Sequence, residues 1–154
     1  MLDEVDRRIL RQWQADPEIS AADLADRCGL SPARLARRQA RMQDAGIVQG
    51  VQGVIDWTAL GYGVEVSLRV TLDKTVPSAF DDFIAAARNV PEVLEIQTFL
   101  GRVDVRLSVI ARDMAHYQMI YRHQILTLPH IADIEALMHV ARVKSDQALP
   151  LRRR

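Results

Sequence analysis

Apolar residues near the start of the chain recur with the spacing of a helix. Steps of four, one and three residues separate Val5, Ile9, Leu10 and Trp13, which places all of them on one helical face. Asp3 is a suitable N-cap, and the Asp16-Pro17 pair ends the segment because the residue before a proline disfavours helical geometry. The pattern predicts a first helix between these two points.

Two further helices are predicted between Ser20 and Ala45. Ser20 is suited to cap the second helix, and Gly29 supplies the left-handed residue that closes it. Ser31-Pro32 then combines a capping hydroxyl with a proline at the first helical position, and the third helix extends to about Ala45. Two helices joined by a short turn around a glycine are typical of a helix-turn-helix.

The third helix carries a stripe of four arginines. Its members, at steps of three, one and three residues, are Arg34, Arg37, Arg38 and Arg41. Only Asp44 opposes them, so the helix has a local surplus of three positive charges. Guanidinium groups suit phosphate oxygens and the O6/N7 edge of guanine. Such a face can also be simply solvated; its position on the helix after a glycine turn favours contact with DNA.

The rest of the chain predicts a connecting segment followed by a mixed α and β domain. Residues 47–61 indicate a connecting strand interrupted by glycines and a short turn around Trp57–Leu60. Alternation then predicts a half-buried strand over 64–73. The further elements are a helix ending before Pro91, strands over 93–100 and 103–110, a helix capped by Asp113, and a strand over 131–143. This βαββαβ order is that of a ferredoxin-like domain.

One face of the predicted sheet mixes charged and apolar side chains. It should carry Glu65, Ser67, Arg69, Asp104, Arg106, Asp133 and Glu135 together with Phe99 and Leu137. A face of this kind cannot form a core, and it suits pairing with a second copy of the chain, across which opposite charges would be neutralised. The alternative is a plain solvated face.

Composition excludes several functional classes. The 20 basic and 20 acidic residues cancel, which argues against a generally basic surface but not against a local basic face. The one cysteine, Cys28, can form no disulfide within the chain, and we expect it to be a buried small apolar residue. The 4 histidines lack metal-site spacing, and the sequence shows neither a phosphate loop nor a nucleophile motif. We therefore expect no enzyme, no metal and no cofactor.

The termini carry no targeting or membrane signal in the sequence. No segment approaches the roughly 18 apolar residues of a membrane span, and the acidic start MLDEVDRR is unlike a secretory signal. These observations predict a cytoplasmic location. Residues 149–154, which end in three arginines, are expected to form a flexible tail.

Four segments together resemble the leucine-responsive and asparagine regulator (Lrp/AsnC) family. They are LDEVDRRILRQWQADPEIS, LADRCGLSPARLARRQARMQDAGIVQG, the hairpin LGRVDVRLSV, and LPHIADIEALMHVARVK near the end. The resemblance covers nearly the whole chain. It implies a helix-turn-helix domain of the winged-helix type and an amino-acid-sensing domain. It also implies dimers, often four in a ring, with small amino acids bound at the junctions between dimers.

The resemblance also assigns candidate site residues. The recognition helix would begin at Ser31 and bind DNA through Ser31, Arg34, Arg37, Arg38 and Arg41, of which Arg38 and Arg41 stand where the family commonly has arginine. The effector loop would comprise Gly101, Arg102, Val103 and Asp104, in which the glycine and the aspartate match the Gly-x-x-Asp pattern of the family.

Three positions depart from the family pattern. Val103 stands where tyrosine is common, Ile134-Glu135-Ala136 replaces a Thr-x-Thr pair, and Gln39 replaces an apolar core residue. The loss of two hydroxyl groups makes the site less suited to a polar side chain. The sequence therefore predicts that any effector is a small apolar or sulfur-containing amino acid.

Taken together, the sequence predicts an α+β protein in three parts. Residues 1–46 form the helix-turn-helix domain, 47–61 the connection, and 62–154 a ferredoxin-like domain for oligomerisation and effector sensing. The predicted function is that of a sequence-specific regulator of transcription that binds double-stranded DNA as a homodimer or as a tetramer of dimers. The alternative is a sensing and assembly protein of the same fold that no longer binds DNA.

Overall fold

The computed structural model describes residues 2–145 and 148–151. They form two compact units: one contains residues up to Val54 and the described residues from Lys144 onward, and the other is Ile55–Val143. The tail after residue 143 therefore groups with the first unit, whereas the sequence assigned it to the second domain. The three arginines at 152–154 lie outside the described residues. The domain limits at 46 and 61 stay predictions.

The first unit contains the three helices that the sequence predicts. They are α1 (Glu4–Ala15), α2 (Ala21–Cys28) and α3 (Pro32–Asp44). Their inward faces form a small core of buried side chains, namely Ile9, Leu24, Ala25, Cys28, Leu35 and Met42. The burial of Cys28 confirms its assignment as a small core residue, and desolvation raises the pKa of its thiol.

Local hydrogen bonds and backbone angles explain where these helices begin and end. The Asp3 carboxylate accepts from the backbone N–H of Asp6, and the Asp6 carboxylate accepts from that of Asp3, which is a capping box. Ser20 caps α2 by accepting from the N–H of Asp23. Gly29 adopts φ +66°, a left-handed conformation that closes α2 and turns the chain toward α3.

The predicted connecting strand over 47–61 is not formed. Among the described residues from 45 to 63 no strand is present, and residues 48–56 have no regular secondary structure before a turn at Trp57–Gly61. The large apolar side chains exposed here include Val51, Val54 and Ile55. The reason is the absence of a hydrogen-bonded neighbour, because the sheet order contains no segment that pairs with these residues. The predicted turn is confirmed, with the Gly61 N–H donating to the Thr58 carbonyl at 2.9 Å.

The second unit has the predicted βαββαβ order. Its elements are β1 (Val64–Leu72), α4 (Ala79–Ala87), β2 (Val93–Thr98), β3 (Val105–Ala111), α5 (Met114–Ile120) and β4 (Ile131–Met138). The strands form one antiparallel sheet in the order β2-β3-β1-β4, which confirms the ferredoxin-like prediction. One sheet face is buried, chiefly by Val66, Leu68, Val70, Val105, Leu107 and Val109, against helix residues such as Phe83 and Ile120.

One element changes its helix type along its length, and another ends before the predicted residue. The helix after Asp113 continues beyond Ile120 as a short π-helical segment, Tyr121–Ile125. Strand β4 ends at Met138 rather than at residue 143. After the His139 N–H donates to the Glu65 carbonyl at 2.9 Å, the chain departs from the ladder. The Arg142 guanidinium then donates to the Glu65 carboxylate at 2.6 Å and lies 5.4 Å from the ring centroid of Trp57.

Candidate functional site

Helix α3 is anchored on one side and exposed on the other. Leu35 and Met42, both within the core, fix its inner face. The Ser31 hydroxyl accepts from the Arg34 N–H at 3.4 Å, so this predicted DNA-binding residue acts as the N-cap in the structure. The side chains of Arg34 and Arg37 are exposed. The amino-terminal half of α3 therefore presents two cations to solvent from a fixed helix.

The two later arginines of the stripe bind carboxylates of α1 instead. Arg38 Nη1 donates to Asp3 Oδ2 and to Asp6 Oδ1, both at 2.7 Å. Arg41 Nη2 donates to Asp6 Oδ2 at 2.6 Å. Asp6 thus accepts one guanidinium on each of its two oxygens. We call these four residues the Asp–Arg cluster.

Burial shows how strongly the cluster constrains α3. The Asp6 side chain is 0% exposed, while those of Arg38 and Arg41 are 20% and 58% exposed. A fully buried carboxylate must be compensated by hydrogen bonds, and Asp6 receives two that are charge-assisted. The hydrogen bond from Arg38 is the main reason that the pKa of Asp3 is lowered from 3.8 to about 2. The hydrogen bonds that Arg38 donates, first the one to Asp3 and then the one to Asp6, raise the pKa of Arg38.

The cluster changes the interpretation of the arginine stripe. The surplus of three positive charges predicted from the sequence considers only the residues of α3. In the structure, Asp3 and Asp6, which are more than 30 residues away, pair with two of the four arginines. Arg41 keeps an exposed side, but Arg38 is largely enclosed. Sequence reasoning missed both aspartates as site residues, because Asp3 was interpreted only as the N-cap of the first helix and Asp6 was given no role. Their three-residue spacing, which matches that of Arg38 and Arg41, was the available signal.

The predicted effector loop connects β2 to β3, and Asp104 fixes it to the end of β1. Asp104 Oδ2 accepts from the Leu72 N–H at 2.8 Å, and its own N–H donates to the Val70 carbonyl at 3.0 Å. The Thr71 hydroxyl donates to the Arg102 carbonyl at 3.0 Å. Lys74 Nζ lies 3.6 Å from Asp104 Oδ1. One carboxylate oxygen is therefore used by the backbone and the other faces an ammonium group.

A cavity of about 240 Å³ lies beside Asp104. Its lining is Leu72, Asp73, Lys74, Val76, Pro77, Ala79, Phe80 and Asp104. Of the four predicted effector residues, only Asp104 lines it; Gly101 and Arg102 are exposed, and Val103 is half-buried. Ile134 and Ala136, also expected near the ligand, do not line this cavity. The described residues of one chain thus bring together only part of the predicted effector site.

The sheet face opposite the helices has the mixed character that the sequence predicts. Arg69 lies directly across from Arg106 on one side and from Glu135 on the other. Ion pairs join Arg69 to Glu135 at 3.8 Å and Arg106 to Glu95 at 3.4 Å. In the next row, Ser67 is flanked by Ser108 and Leu137. The face is neither an apolar core nor a uniformly charged surface.

Comparison with known families agrees with this architecture. Residues 65–149 match the family model described as Lrp/AsnC ligand binding domain. The chain belongs to the Lrp/AsnC family. Residues 2–49 match the model described as winged helix-turn-helix DNA-binding. The Lrp/AsnC assignment by resemblance is confirmed, and with it the class of DNA-binding transcriptional regulators that combine such a domain with a ligand-binding domain.

Individual Lrp/AsnC proteins match along almost their full length. The leucine-responsive regulatory protein of Salmonella typhimurium is 30% identical over 153 residues, which cover 99% of this chain and 93% of the relative. Among solved structures, a transcriptional regulator from Neisseria meningitidis in complex with L-Met superposes with a TM-score of 0.89 at 28% identity, covering 98% of this chain and 97% of the other. An AsnC family regulator from Agrobacterium tumefaciens gives 0.87 at 29% identity, with 97% of each chain covered.

Two other classes of site find no support in the described parts of this Lrp/AsnC chain. Within residues 2–145 and 148–151, no three His, Cys, Asp or Glu side chains are grouped so that they could hold a metal ion. The same residues contain no helix with the length and apolar character needed to cross a bilayer.

Proposed function

We propose that α3 enters the major groove of double-stranded DNA and that Arg34 and Arg37 make its principal contacts. The observation that carries this proposal is the exposure of both guanidinium groups on a helix whose inner face is fixed by the core. Ser31 caps the helix at the same end, where backbone N–H groups favour a phosphate. Arg41 adds a contact from its exposed side. Arg38 acts indirectly, by holding α3 against α1.

The test separates direct contacts from positioning by their salt dependence. A duplex selected from a random library would be titrated with the wild type and with Arg34→Ala, Arg37→Ala and Arg38→Ala. We expect each of the first two to weaken binding by about 1–3 kcal/mol, and to reduce the slope of log affinity against log salt by about 1 where a phosphate contact is lost. Arg38→Ala should weaken binding without changing that slope.

A matched control is available in the second unit. Arg122 has an exposed side chain outside the helix-turn-helix, so Arg122→Ala should bind DNA like the wild type. Unchanged affinity in both Arg34→Ala and Arg37→Ala would overturn the assignment of these contacts.

The alternative function, a sensing and assembly protein that does not bind DNA, is favoured by one observation. Internal ion pairs occupy Arg38 and Arg41, so the cationic surface of α3 is smaller than the sequence indicated, on a chain whose formal charge is zero. This function would be supported if the selection yields no binding sequence and if affinity for any duplex is independent of salt.

For the effector, we propose a small apolar or sulfur-containing amino acid bound beside Asp104. The cavity supports this choice because it combines apolar side chains such as Leu72, Val76 and Phe80 with the charges of Asp104 and Lys74. The ammonium group of an amino acid would bind Asp104, and its carboxylate would bind Lys74. The edge strand β4, on which Ala136 is exposed and Ile134 is half-buried, would complete the site if a second copy covers it.

A thermal-shift screen against the twenty amino acids tests the effector proposal, since a ligand specific for the folded state raises its stability. L-methionine, which the Neisseria meningitidis regulator binds, would be included. The expected result is a rise in Tm with an apolar or sulfur-containing member that is lost in Asp104→Asn, which keeps an acceptor for the Leu72 N–H. No shift with any of the twenty would overturn the proposal.

We further propose that the working state is a homodimer formed through the open sheet face, with a tetramer of dimers as the larger assembly. Mixed charge and apolar character support self-pairing of this face. Two copies of α3 would then reach half-sites about 34–36 Å apart on DNA, or a multiple of that distance. A cytoplasmic location accords with a DNA partner and stays a prediction.

A further inference from the structure

We propose that Ala148–Leu151 forms a strap that docks in a groove of α1 and closes the helix-turn-helix unit. Its central contact is reciprocal. Gln14 Nε2 donates to the Leu149 carbonyl at 2.8 Å, and the Leu149 N–H donates to Gln14 Oε1 at 3.0 Å. The Gln14 amide thus satisfies both backbone groups of Leu149, as a neighbouring strand would. The Leu149 carbonyl also accepts from the Leu151 N–H at 2.8 Å, so the strap turns at Pro150.

A second contact holds the end of the strap. Arg11 Nη1 donates to the Leu151 carbonyl at 3.0 Å. The other terminal nitrogen of Arg11 is paired with Glu4 at 2.7 Å, so the guanidinium is already oriented by α1. Arg11 and Gln14 are three residues apart and lie on the same side of α1. One face of this helix therefore binds both Leu149 and Leu151 of the strap.

The groove beneath the strap is apolar and has a volume of about 460 Å³. Leu10 and Trp13 of α1 line it together with Leu149 and Leu151 of the strap. Leu151 is half-buried, whereas Leu149 is 64% exposed and Pro150 between them is exposed. The fixed φ of proline limits the conformations of the free tail and lowers the entropy cost of docking.

The chain that follows α3 lines the same groove. Residues from Ile47 to Gln52 contribute to its wall. The segment by which the chain leaves the first unit and the segment by which it returns therefore meet on α1. Release of the strap would uncover Trp13 and would loosen residues 47–52 at the same time. The strap is thus a closing device for the unit that carries α3, and it includes residues 149–151 of the tail that the sequence predicts to be flexible.

Chemical cross-linking tests the docking and identifies the occupant. In a Cys28→Ser background, Ala15→Cys and Ala148→Cys place thiols next to Gln14 and Leu149. The full-length protein would be prepared as a mixture of isotopically light and heavy chains and treated with a flexible bifunctional maleimide. We expect linked peptides in which both halves carry the same label. Mixed labels would show that the tail of a second copy occupies the groove, and absence of the link would show that it is empty; either result overturns the proposal.

Fluorescence gives an independent readout of groove closure. Trp57→Phe leaves Trp13 as the only tryptophan, since the chain has 2. Adding Leu149→Asp and Leu151→Asp should shift the Trp13 emission to the red and increase its quenching by acrylamide. Leu100→Asp, at a fully exposed apolar residue of the second unit, is the matched control and should change neither. Unchanged Trp13 emission in the strap variant would overturn the proposal.

Hydrogen exchange tests the docking without a substitution in the strap itself. The Leu149 amide of the wild-type protein should exchange more slowly than a free extended chain, and Gln14→Ala should remove that protection. Exchange at the free-chain rate in the wild type would contradict the docking, whatever the outcome of the DNA-binding experiments.

Discussion

At the scale of single residues, Asp6 is a buried carboxylate whose charge must be compensated by its partners. Its side chain is 0% exposed and accepts from both Arg38 and Arg41. We predict that Asp6→Asn lowers the free energy of unfolding by about 2 kcal/mol, within the range for hydrogen bonds to charged groups. The loss should be smaller than the ~3–5 kcal/mol of a wholly buried pair because both guanidinium groups reach solvent. Urea unfolding followed by Trp13 fluorescence in Trp57→Phe measures it.

The matched control for this substitution is Asp44→Asn. Asp44 ends α3 with an exposed side chain, so its neutralisation should change stability by less than about 0.5 kcal/mol. Equal effects of the two substitutions would contradict the special role of Asp6.

The Asp3 carboxyl gives the same cluster a dependence on pH. Its pKa is lowered from 3.8 to about 2, chiefly by Arg38, so the folded state binds the proton less readily than the unfolded state. The stabilisation is complete above about pH 4 and is lost as the pH falls toward 2. We predict that the stability difference between wild type and Asp3→Asn shrinks over this interval. Carboxyl-carbon NMR of Asp3 should report the low pKa directly; a value near 3.8 would exclude the pairing in solution.

At the scale of elements, the turn between α2 and α3 depends on Gly29. Its φ of +66° is left-handed, and a Cβ added there would meet nothing within 4 Å. The cost of Gly29→Ala is therefore confined to the backbone, and we predict a loss of about 1 kcal/mol in unfolding free energy. Gly53→Ala is the control, because Gly53 also has free space around it but no left-handed φ. If Gly29→Ala is as stable as Gly53→Ala, the turn does not require a glycine.

Elements could be predicted from the sequence wherever short-range chemistry determines them. Asp3, Ser20 and Ser31 cap their helices as expected, because a cap needs only a side chain and the next turn of backbone. The alternation along β1 likewise needs only one buried face. These signals were sufficient for the order of helices and strands and for the position of the helix-turn-helix.

The misassigned features depend on distant partners. Residues 47–55 have strand-like composition but no neighbouring strand to pair with. Strand β4 ends before Arg142, whose guanidinium instead binds the Glu65 carboxylate 77 residues away. Arg38 looked like a surface cation because its partner Asp6 precedes it by 32 residues. The periodicity of a single helix contains no information about which other helix will cover it. The sequence was therefore sufficient to place the four arginines on α3 but not to pair two of them with Asp3 and Asp6, and their contacts with DNA stay a prediction.

At the scale of the whole molecule, the proposed homodimer would link the open sheet face to DNA binding by α3. Leu137 lies in the middle row of that face, beside Ser67. We predict that Leu137→Lys converts the proposed homodimer to a monomer, because an unpaired ammonium would be buried in the interface. Sedimentation equilibrium measures the change. Ala85→Lys, on the exposed side of α4, is the control and should leave the mass unchanged.

The same variant predicts how DNA binding responds to salt. The slope of log affinity against log salt is proportional to the number of phosphates neutralised. A dimer that places α3 on two half-sites neutralises about twice as many phosphates as one chain, so Leu137→Lys should bind more weakly and with about half the slope. Its α3 is unaltered, and a single half-site should therefore be bound equally well by both proteins. A monomeric variant that keeps the full slope would mean that DNA itself reassembles the dimer, or that one chain makes all of the contacts; Ala85→Lys at the same concentrations supplies the reference slope.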